Sequence, residues 1–543
     1  MYEEIFDYVI VGAGTAGCVI AGRLSEYGKY RICVLEAGPP DTNPFIHIPA
    51  GVLYTLKNPL INWMYEGMPS PGLKGRAIHH ARGKTLGGSG SINGHIYNRG
   101  QKADFDTWAQ LGNKGWSYEE VLPYFIKSEN KIGGGDPGYH GLGGAFTVTE
   151  IEETDPLCDA LIDTAVNIGI PRNPDYNGRS QTGIGYAQRS IHRGRRVSPA
   201  RTFLYPAKKR GNTRVLTNAQ VIRIDIENGR ACGIQYKIGG HNGRIQAVKA
   251  RREVVICAGA IASPQLLEVS GIGCGSRLSS NGIKVVQNLP GVGENFRDHF
   301  AVRSVYRIKG AKTVNDRVRG FSFAREILNY GLSRKGVLAM PPTLVYCFWK
   351  SNPSLENGDI QLTFTPASYP SGVQSGLERF PGATIACWQQ RPESAGKVHV
   401  VSPDVFVPPE IQDNYLAEEN DRKVLLAAIR LSRRITKSEP FKNFVEREIW
   451  PGPECNTDEE LLDHARATGN TAYHPMGTCR MGPIDRFDSV VDEQLRVYGI
   501  NDLRVADSSV MPMILSANLN AGALMIGEKA ADMLIMNAKS IST

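Results

Sequence analysis

The order of apolar and polar positions near the start of the chain predicts a β-turn-α-β unit. Residues 6–11 and 31–36 are short apolar runs, and residues 18–26 between them place apolar side chains at helical spacing. Short apolar runs are typical of buried strands, whereas apolar residues that recur every three or four positions are typical of a packed helix. The glycine-rich segment 12–17 is therefore expected where a strand gives way to a helix.

Further along the chain, strand-like and helix-like patterns alternate. Residues 116–130 and 521–536 have helical spacing, whereas residues 213–255 alternate apolar and polar positions around polar turns, as in an antiparallel meander. The run 254–257 is predicted to be a buried strand that leads through Gly259 into another helix. This mixture predicts an α/β protein, α+β overall.

The length of the chain predicts two domains, because single cores usually stop growing near roughly 250–300 residues. The glycine-rich motifs lie in the first and last thirds of the 543 residues, whereas the middle third, 305–460, is richer in aromatic residues and proline. We therefore expect a discontinuous cofactor domain and a substrate domain built on an antiparallel sheet. The expected boundaries are 1–155, 200–304 and 485–543 for the cofactor domain, and 156–199 and 305–484 for the substrate domain.

The charge pattern argues against a nucleic-acid partner. The net charge of +8 is modest, and the basic residues stand in short, scattered groups such as 193–196 and 208–210. Nucleic-acid binding needs basic residues clustered on one face, so we expect at most a peripheral attraction to an anionic membrane surface. No apolar run approaches the ~20 residues of a membrane span. Nothing in the pattern indicates an oligomeric state.

The cysteines argue for a reducing compartment. The ten cysteines form no CxxC pair and no His/Cys cluster with zinc spacing, so we expect buried, reduced thiols and no metal. The first core strand is expected within a few residues of Met1, which leaves no room for a signal peptide. These observations predict a cytoplasmic protein.

The segment Gly12-Ala-Gly14-Thr-Ala-Gly17 has the GxGxxG spacing of a dinucleotide-binding turn. Its glycines let the backbone turn tightly and approach a pyrophosphate, and the following helix directs free N–H groups at the phosphates. Glu36, at the end of the second predicted strand, can accept hydrogen bonds from an adenosine ribose. The fingerprint predicts a dinucleotide but does not separate NAD from FAD.

Four further segments carry a family resemblance. Residues 83–100 pack glycines and small hydroxyl residues densely, and they resemble the first signature of the glucose-methanol-choline (GMC) oxidoreductases, a family of FAD enzymes. Residues 259–273 are similar to the second signature of that family, and 288–299 and 503–512 are two more family-like blocks. The resemblance implies FAD as the cofactor and a Rossmann-like FAD-binding domain of GMC type.

The resemblance also implies which residues bind FAD. The residues implied on the ADP half are Gly12, Gly14, Gly17 and Glu36, and those implied along the flavin are Gly87, Gly88, Asn93 and Gly94. Val221 resembles the residue whose backbone contacts adenine, and Asp507 resembles a residue near the ribityl and pyrophosphate groups. The remaining positions implied at the cofactor are Thr15, Ala16, Ala37, Arg82, Ser89, Ile96, Ala258, Gly259, Ser508, Asn518, Leu519 and Asn520.

Some members of the family bind FAD covalently through a histidine in the first signature. The matching position in this chain is Ile92, which has no nucleophilic atom. The resemblance therefore implies non-covalent FAD.

Two segments near the C-terminus are candidates for the chemistry. Removing a hydride from an alcohol requires a base for the hydroxyl proton and a donor for the developing oxyanion, roles suited to a histidine and an amide. The resemblance implies His474 as the base and Asn518 as the second member, with Asn520 as the competing candidate for that second role. Four other histidines are interpreted as structural or flavin-adjacent: His79, His80, His95 and His299.

The resemblance predicts oxidation of a small-molecule alcohol, a primary one by overall pattern, with electrons passed to a quinone or other carrier. An oxidase that reduces O₂ to H₂O₂ is the close alternative, and a non-redox lyase of hydroxynitrile lyase type or a flavin photodecarboxylase is the alternative from another class. Six aromatic residues could wall the substrate cavity, although core packing is favoured for most of them: Trp63, Tyr65, Phe348, Trp349, Phe364 and Tyr369. Such a wall could hold a choline-like cation, an aryl alcohol or an aliphatic alcohol.

Overall fold

The computed structural model describes residues 4–370 and 376–540. Its strands in chain order are β1 (Glu4–Val11), β2 (Ile32–Leu35), β3 (Tyr65–Glu66), β4 (His79–His80), β5 (Glu129–Lys131), β6 (Phe146–Val148), β7 (Gly183–Tyr186), β8 (Ile191–His192), β9 (Arg195–Arg196), β10 (Thr213–Leu216), β11 (Ala219–Glu227), β12 (Arg230–Ile238), β13 (Ile245–Ile256), β14 (Ile272–Gly273), β15 (Gln287–Asn288), β16 (Phe300–Ile308), β17 (Val345–Trp349), β18 (Ile360–Thr365), β19 (Gly382–Gln389), β20 (Lys397–His399), β21 (Glu410–Gln412), β22 (Val445–Trp450), β23 (Asn470–Thr471) and β24 (Leu503–Val505). Its α-helices are α1 (Thr15–Tyr27), α2 (Pro44–His47), α3 (Val52–Thr55), α4 (Lys102–Gln110), α5 (Tyr118–Ser128), α6 (Pro156–Asn167), α7 (Tyr205–Lys209), α8 (Gly259–Val269), α9 (Gly275–Ser280), α10 (Val314–Arg317), α11 (Gly320–Ser333), α12 (Glu419–Thr436), α13 (Asp458–Thr468) and α14 (Asn520–Ser540).

The first sheet has a parallel half that carries the expected β-turn-α-β unit. Its strand order is β10-β2-β1-β13, with β24 on the other side of β13, and every pair in this half is parallel. Strands β1 and β2 are almost wholly buried, as expected for a parallel sheet covered on both faces. Helices α1 and α14 pack against each other, joined by an ion pair of 2.7 Å between Arg23 and Glu528. The predicted α/β class with a Rossmann-like domain is confirmed.

Two expectations about local structure were wrong in detail. The segment 213–217 was expected in an antiparallel meander, but β10 pairs with β2 in parallel, and the meander consists of β11, β12 and β13. The helix expected over 116–130 is α5, which begins after a capping box between Ser117 and Glu120. It ends at Ser128 because Glu129 takes an extended conformation and pairs with β6.

The second sheet is antiparallel, as expected for the substrate domain. Its order is β22-β16-β19-β18-β17-β7, and β23 pairs with the start of β16. Helix α12 lies against β18 and β19 and covers the face that carries Val302, Leu362 and Cys387. Directly paired residues of an antiparallel sheet point to the same side, so the alternate residues of these strands face away from α12.

The division into domains stays a proposal. Strand β16 crosses the boundary expected between residues 304 and 305, whereas β7 of the segment 156–199 joins the second sheet.

Within residues 4–370 and 376–540, no helix combines the length and apolar character needed to cross a bilayer.

All ten cysteines are unpaired, and most are buried as expected. The expectation of burial was wrong for Cys274 and Cys455, which are partly exposed. Cys274 occupies the N-cap position of α9 at the molecular surface, where a thiol has less neighbouring chain to cover it.

Candidate active site

A cavity of about 370 Å³ runs from the first βα turn to the second sheet. The expected cofactor residues that line it are Gly12, Gly14, Thr15, Ala16, Glu36, Ala37, Arg82, Gly88, Ser89, Asn93, Gly94, Ile96, Val221, Ala258, Gly259, Asp507, Ser508, Asn518, Leu519 and Asn520. Gly17 and Gly87 do not line it. The N–H of Gly87 donates to the Ala13 carbonyl at 2.7 Å, so this glycine holds the wall of the cavity.

At the end of the cavity beside the first βα turn, called the nucleotide end after its expected ligand, the backbone segments lie too close together for any residue with a Cβ. Gly12 has a φ of +99°, and a Cβ placed there would lie 2.5 Å from the Cys257 carbonyl oxygen. A Cβ on Gly88, with φ +53°, would lie 2.8 Å from the Cα of Gly14. The two glycine-rich segments are therefore in backbone contact beside the N-terminus of α1. A flat, anionic ligand can approach the chain closely at this point.

Glu36 and Asp507 each fix the loops around this end. The Glu36 carboxylate accepts the backbone N–H groups of Ala13 at 3.0 Å and Gly38 at 2.9 Å. Burial raises the pKa of Glu36 to about 7, although both N–H bonds act in the opposite direction. Asp507 accepts the N–H of Gly259, the first residue of α8, at 2.8 Å. Two helix N-termini, those of α1 and α8, thus meet at the cavity.

The segment 83–100 is held in place from outside the cavity. Arg196 donates to the Oδ1 of Asn93 at 2.6 Å and to its carbonyl at 2.9 Å. Burial lowers the pKa of Arg196 to about 9. Arg82, which precedes this segment and lines the cavity, donates to the Tyr473 carbonyl at 2.6 Å and so connects the start of the segment to the residue before His474. Ile92 is buried and lines the cavity.

His474 and Asn518 lie in direct contact at the junction between the two sheets. The amide nitrogen of Asn518 lies 3.0 Å from Nε2 of His474, and Tyr346 donates its hydroxyl hydrogen to Oδ1 of Asn518 at 3.3 Å. Asn520, the competing candidate, instead accepts a hydrogen bond of 2.8 Å from Thr15 at the start of α1. The geometry therefore brings together the pair expected from sequence and leaves Asn520 beside the nucleotide turn.

The protonation of His474 follows from its second neighbour, His299. Nε2 of His299 lies 2.7 Å from the Gln390 carbonyl, which can only accept, so this nitrogen carries the hydrogen. Nδ1 of neutral His299 is then an acceptor, and it lies 2.9 Å from Nδ1 of His474. His474 must therefore carry its hydrogen on Nδ1. Its Nε2 is left with a lone pair on the side of Asn518.

Burial keeps both imidazoles neutral. It lowers the pKa of His474 well below its usual value of 6.5, and the positive charge of nearby Arg82 acts in the same direction. Burial also lowers the pKa of His299 to about 4. The backbone N–H of His474 donates to the carboxylate of Asp298 at 2.7 Å, and this bond fixes the main chain that carries the imidazole. The arrangement presents a neutral base to the cavity at pH 7.

Several residues at this site were not singled out from sequence or received only a general interpretation. His299 was interpreted as structural or flavin-adjacent, and in the structure it contacts His474 directly. The only sequence signal was its place at the end of the family-like block 288–299. Arg196, Arg303 and Tyr346 were not singled out, since their proximity depends on how distant strands pair. By contrast, two other histidines form hydrogen bonds away from His474. His80 lies 2.6 Å from the carboxylate of Asp413, and His95 lies 3.0 Å from the Pro49 carbonyl.

Three of the six aromatic candidates line the cavity: Trp63, Tyr65 and Tyr369. Trp63 and Tyr65 also belong to an apolar cluster. The three that do not line the cavity pack in other apolar clusters: Phe348, Trp349 and Phe364. Within the described parts of the chain, no cluster of three or more His, Cys, Asp or Glu side chains could hold a metal ion.

Comparisons with known proteins cover nearly the whole chain. Models of the GMC oxidoreductase family match residues 6–301 and 392–527. The chain is 39% identical over 534 residues to the oxygen-dependent choline dehydrogenase of Vibrio vulnificus (strain YJ016). The aligned region covers 98% of this chain and 95% of that relative. It is similar in structure to pyridoxine 4-oxidase from Mesorbium loti, with a TM-score of 0.87 and 30% identity over 97% of this chain and 98% of the other. It is also similar to a variant of formate oxidase from Aspergillus oryzae RIB40, with a TM-score of 0.91 and 28% identity over 99% and 100% of the two chains.

Proposed function

Because this chain belongs to the GMC oxidoreductase family, we propose that it oxidises a primary alcohol to an aldehyde with His474 as the base. The observation that supports this most directly is the pair formed by Nε2 of His474 and the amide of Asn518, 3.0 Å apart at the wall of the cavity. An alcohol placed against both groups meets a proton acceptor and a hydrogen-bond donor at the same oxygen.

The residues of the cavity fit FAD. The nucleotide end combines the N-termini of α1 and α8 with the backbone contact between Gly88 and Gly14, and the cavity continues to His474. We propose that Glu36 and Val221 hold the adenosine, that Asp507 and the α1 turn hold the pyrophosphate region, and that the segment around Asn93 lies along the flavin. When bound, FAD supplies the acceptor for the hydride of the carbinol carbon. The isoleucine at position 92 supports non-covalent binding.

Each member of the site has one role in the proposed reaction. Nε2 of His474 accepts the hydroxyl proton of the alcohol, which makes loss of a hydride from the carbinol carbon favourable. The amide hydrogen of Asn518 steadies the developing oxyanion, while Tyr346 holds the amide in that orientation. His299 accepts the Nδ1 hydrogen of His474 and so stabilises the imidazolium that forms.

The test is a panel of alcohols mixed anaerobically with the purified yellow protein. We expect a primary alcohol to bleach the visible flavin absorption and to yield an aldehyde. A colourless protein that cannot take up FAD, or flavin that no alcohol reduces, would contradict the proposal. Light-driven decarboxylation or cyanohydrin cleavage would proceed without net bleaching, so the same experiment separates those reactions.

The electron acceptor is proposed to be a quinone or another carrier, with O₂ as the second candidate. The second candidate is supported by the names of two relatives, an oxygen-dependent choline dehydrogenase and a pyridoxine 4-oxidase. Reoxidation of the reduced enzyme should be followed twice, with peroxide detection in air and with an artificial quinone under nitrogen. The faster reaction identifies the acceptor.

A further inference from the structure

One arginine stands apart among the charged groups of the cavity. Arg303 on β16 lines the end of the cavity near His474, and its guanidinium has no hydrogen-bond or ion-pair partner within the described residues. Burial lowers its pKa, and the groups that act against this effect are the phenols of Tyr473 and Tyr369 and the thiol of Cys387, none of which is a carboxylate. Arg303 therefore places a partly buried positive charge at the substrate end.

The other charged groups that line the cavity are already engaged. Glu36 and Asp507 both lie at the nucleotide end and accept backbone N–H groups. Arg82 donates to two carbonyls, those of Ala81 and Tyr473, and has Asp298 as a charged neighbour. No carboxylate among the described lining residues is left to neutralise Arg303.

The sheet places Arg303 on the same wall as the proposed catalytic pair. Arg303 pairs with Ala386, Ala386 with Thr363, and Thr363 with Tyr346, so these four side chains form one row across β16, β19, β18 and β17. The row begins at Tyr346, which bonds Asn518, and ends at Arg303. Alanine and threonine between them are small, which leaves the middle of the row open to a substrate.

A positive charge that is partly removed from water and has no partner is stabilised when an opposite charge pairs with it. The planar guanidinium forms paired hydrogen bonds with a carboxylate or similar oxyanion, and it repels a cation. A cationic alcohol such as choline has no carboxylate to meet at this end of the cavity. The positive charge of Arg303 therefore favours a negatively charged substrate over a positively charged one.

We propose that Arg303 binds an oxyanion group of the substrate, a carboxylate or a sulfonate, and that the enzyme oxidises short alcohols carrying such a group rather than choline. This inference rests on the proposed alcohol oxidation. The hydroxyl end of the substrate lies at His474 and Asn518, and the oxyanion end lies at Arg303. Trp388 lies two residues beyond Ala386 on β19, with its ring 6.4 Å from that of His474, and it also lines the cavity.

The first test compares substrates of similar size and different charge. The probes are 4-hydroxybutyrate, 2-hydroxyethanesulfonate, butan-1-ol and choline, each followed by anaerobic bleaching of the flavin. We expect kcat/KM for the better of the two anionic alcohols to exceed that for butan-1-ol by roughly 10- to 100-fold, the usual contribution of one charge-assisted interaction. Choline should be the poorest substrate. A preference for choline or for butan-1-ol would overturn the inference while leaving alcohol oxidation intact.

The second test removes the charge. Arg303→Gln should lower kcat/KM for the anionic alcohol by roughly 10- to 100-fold and leave that for butan-1-ol within about threefold. Arg303→Lys, which keeps the positive charge but not the two parallel N–H donors of the guanidinium, should recover part of the loss. The matched control is Arg244→Gln, which removes an exposed arginine in the turn before β13. Equal losses for charged and neutral alcohols would show that Arg303 supports the fold instead.

A binding measurement keeps the inference separate from turnover. Butyrate, which has the oxyanion but no hydroxyl group, should perturb the visible flavin spectrum of the wild-type holoenzyme and of Arg244→Gln, but not that of Arg303→Gln. If no alcohol reduces the flavin yet butyrate binding depends on Arg303, the proposed reaction fails and the oxyanion site stands. If alcohols are oxidised but butyrate binds all three proteins alike, only the oxyanion site fails.

Discussion

The imidazole of His474 has its lone pair on the nitrogen that faces Asn518 because of a backbone carbonyl two side chains away. The Gln390 carbonyl fixes the hydrogen of His299, and His299 in turn fixes the hydrogen of His474. A carbonyl cannot donate, so the direction of this chain of hydrogen bonds cannot reverse while both rings are neutral. One atom of the main chain therefore determines which nitrogen can act as the base.

Replacing the base should slow the reductive reaction without removing the cofactor. His474→Ala is expected to lower the rate of flavin bleaching by roughly 10²–10⁴, which corresponds to about 3–5 kcal/mol of barrier. The measurement is anaerobic stopped-flow with a saturating alcohol. His241→Ala, which removes an exposed histidine, is the matched control. A near wild-type rate for His474→Ala would exclude this residue as the base.

The lowered pKa of His474 predicts the shape of the pH profile. The base works only when neutral, and burial lowers its pKa below 6.5, so kcat/KM should rise with pH on the acid side of 6.5 and stay flat through neutral pH. The profile should be recorded for flavin reduction from about pH 5 to 9. A rise centred above pH 7 would mean that another group, or a charged neighbour absent from this site, controls the proton transfer.

Contacts between distant residues explain why some members of the site escaped prediction. His474 and Asn518 could be predicted because each lies in a recognisable motif. Nothing in the sequence around His299 shows that the start of β16 lies opposite the segment containing His474. Arg303 likewise lies in a strand-like run, Val302-Arg303-Ser304-Val305, but a strand pattern alone does not show which face of the strand meets a cavity.

At the scale of elements, the glycine-rich segment that follows Gly83 should tolerate no side chain where it meets the first βα turn. Gly88→Ala would bring a Cβ to 2.8 Å from the Cα of Gly14 at a φ of +53°, so one of the two segments must move. We expect the variant to be purified with little FAD and to bind added FAD at least tenfold more weakly, about 1.4 kcal/mol. The measurement is the ratio of flavin to protein absorbance, followed by titration with FAD.

The control for this variant is Gly143→Ala. Its Cβ would meet no atom within 4 Å, and its backbone does not adopt a positive φ. The flavin content of this control should equal that of the wild type. Full flavin content in Gly88→Ala would show that the contact between the two segments does not shape the cofactor site.

Elements with strong local signals were predicted well, and elements defined by their partners were not. The β1-α1-β2 unit has apolar runs, a glycine turn and helical spacing in sequence order, so each local signal agrees with the final structure. The strand Thr213–Leu216 has the same pattern as its neighbours, but it joins β2 rather than β11. The pairing of a strand depends on the connection before it, which a single sequence does not specify.

At the scale of the whole molecule, FAD should contribute to stability because residues from widely separated segments line its proposed site. If binding is non-covalent, acid or chaotrope should release the flavin from the chain, and added FAD should raise the melting temperature of the apoprotein. At 100 times its Kd, a ligand stabilises the native state by about 2.7 kcal/mol. Differential scanning fluorimetry across an FAD titration measures this effect.

FMN is the control for the stability experiment. It carries the flavin but lacks the adenosine that Glu36 and Val221 are proposed to hold, so it should stabilise the apoprotein much less than FAD. Flavin that stays with the denatured chain would contradict non-covalent binding. Equal stabilisation by FMN and FAD would contradict the proposed adenosine site.

The hydrogen bond between Thr15 and Asn520 joins the start of α1 to the start of α14. During synthesis, the ribosome adds Asn520 at a point 505 residues after Thr15. Until then, the nascent chain exposes half of a nucleotide cradle. Flavin capture has to wait for Asn520 to emerge, and a messenger truncated shortly after the second sheet would yield a polypeptide with an open cradle and an unpartnered base.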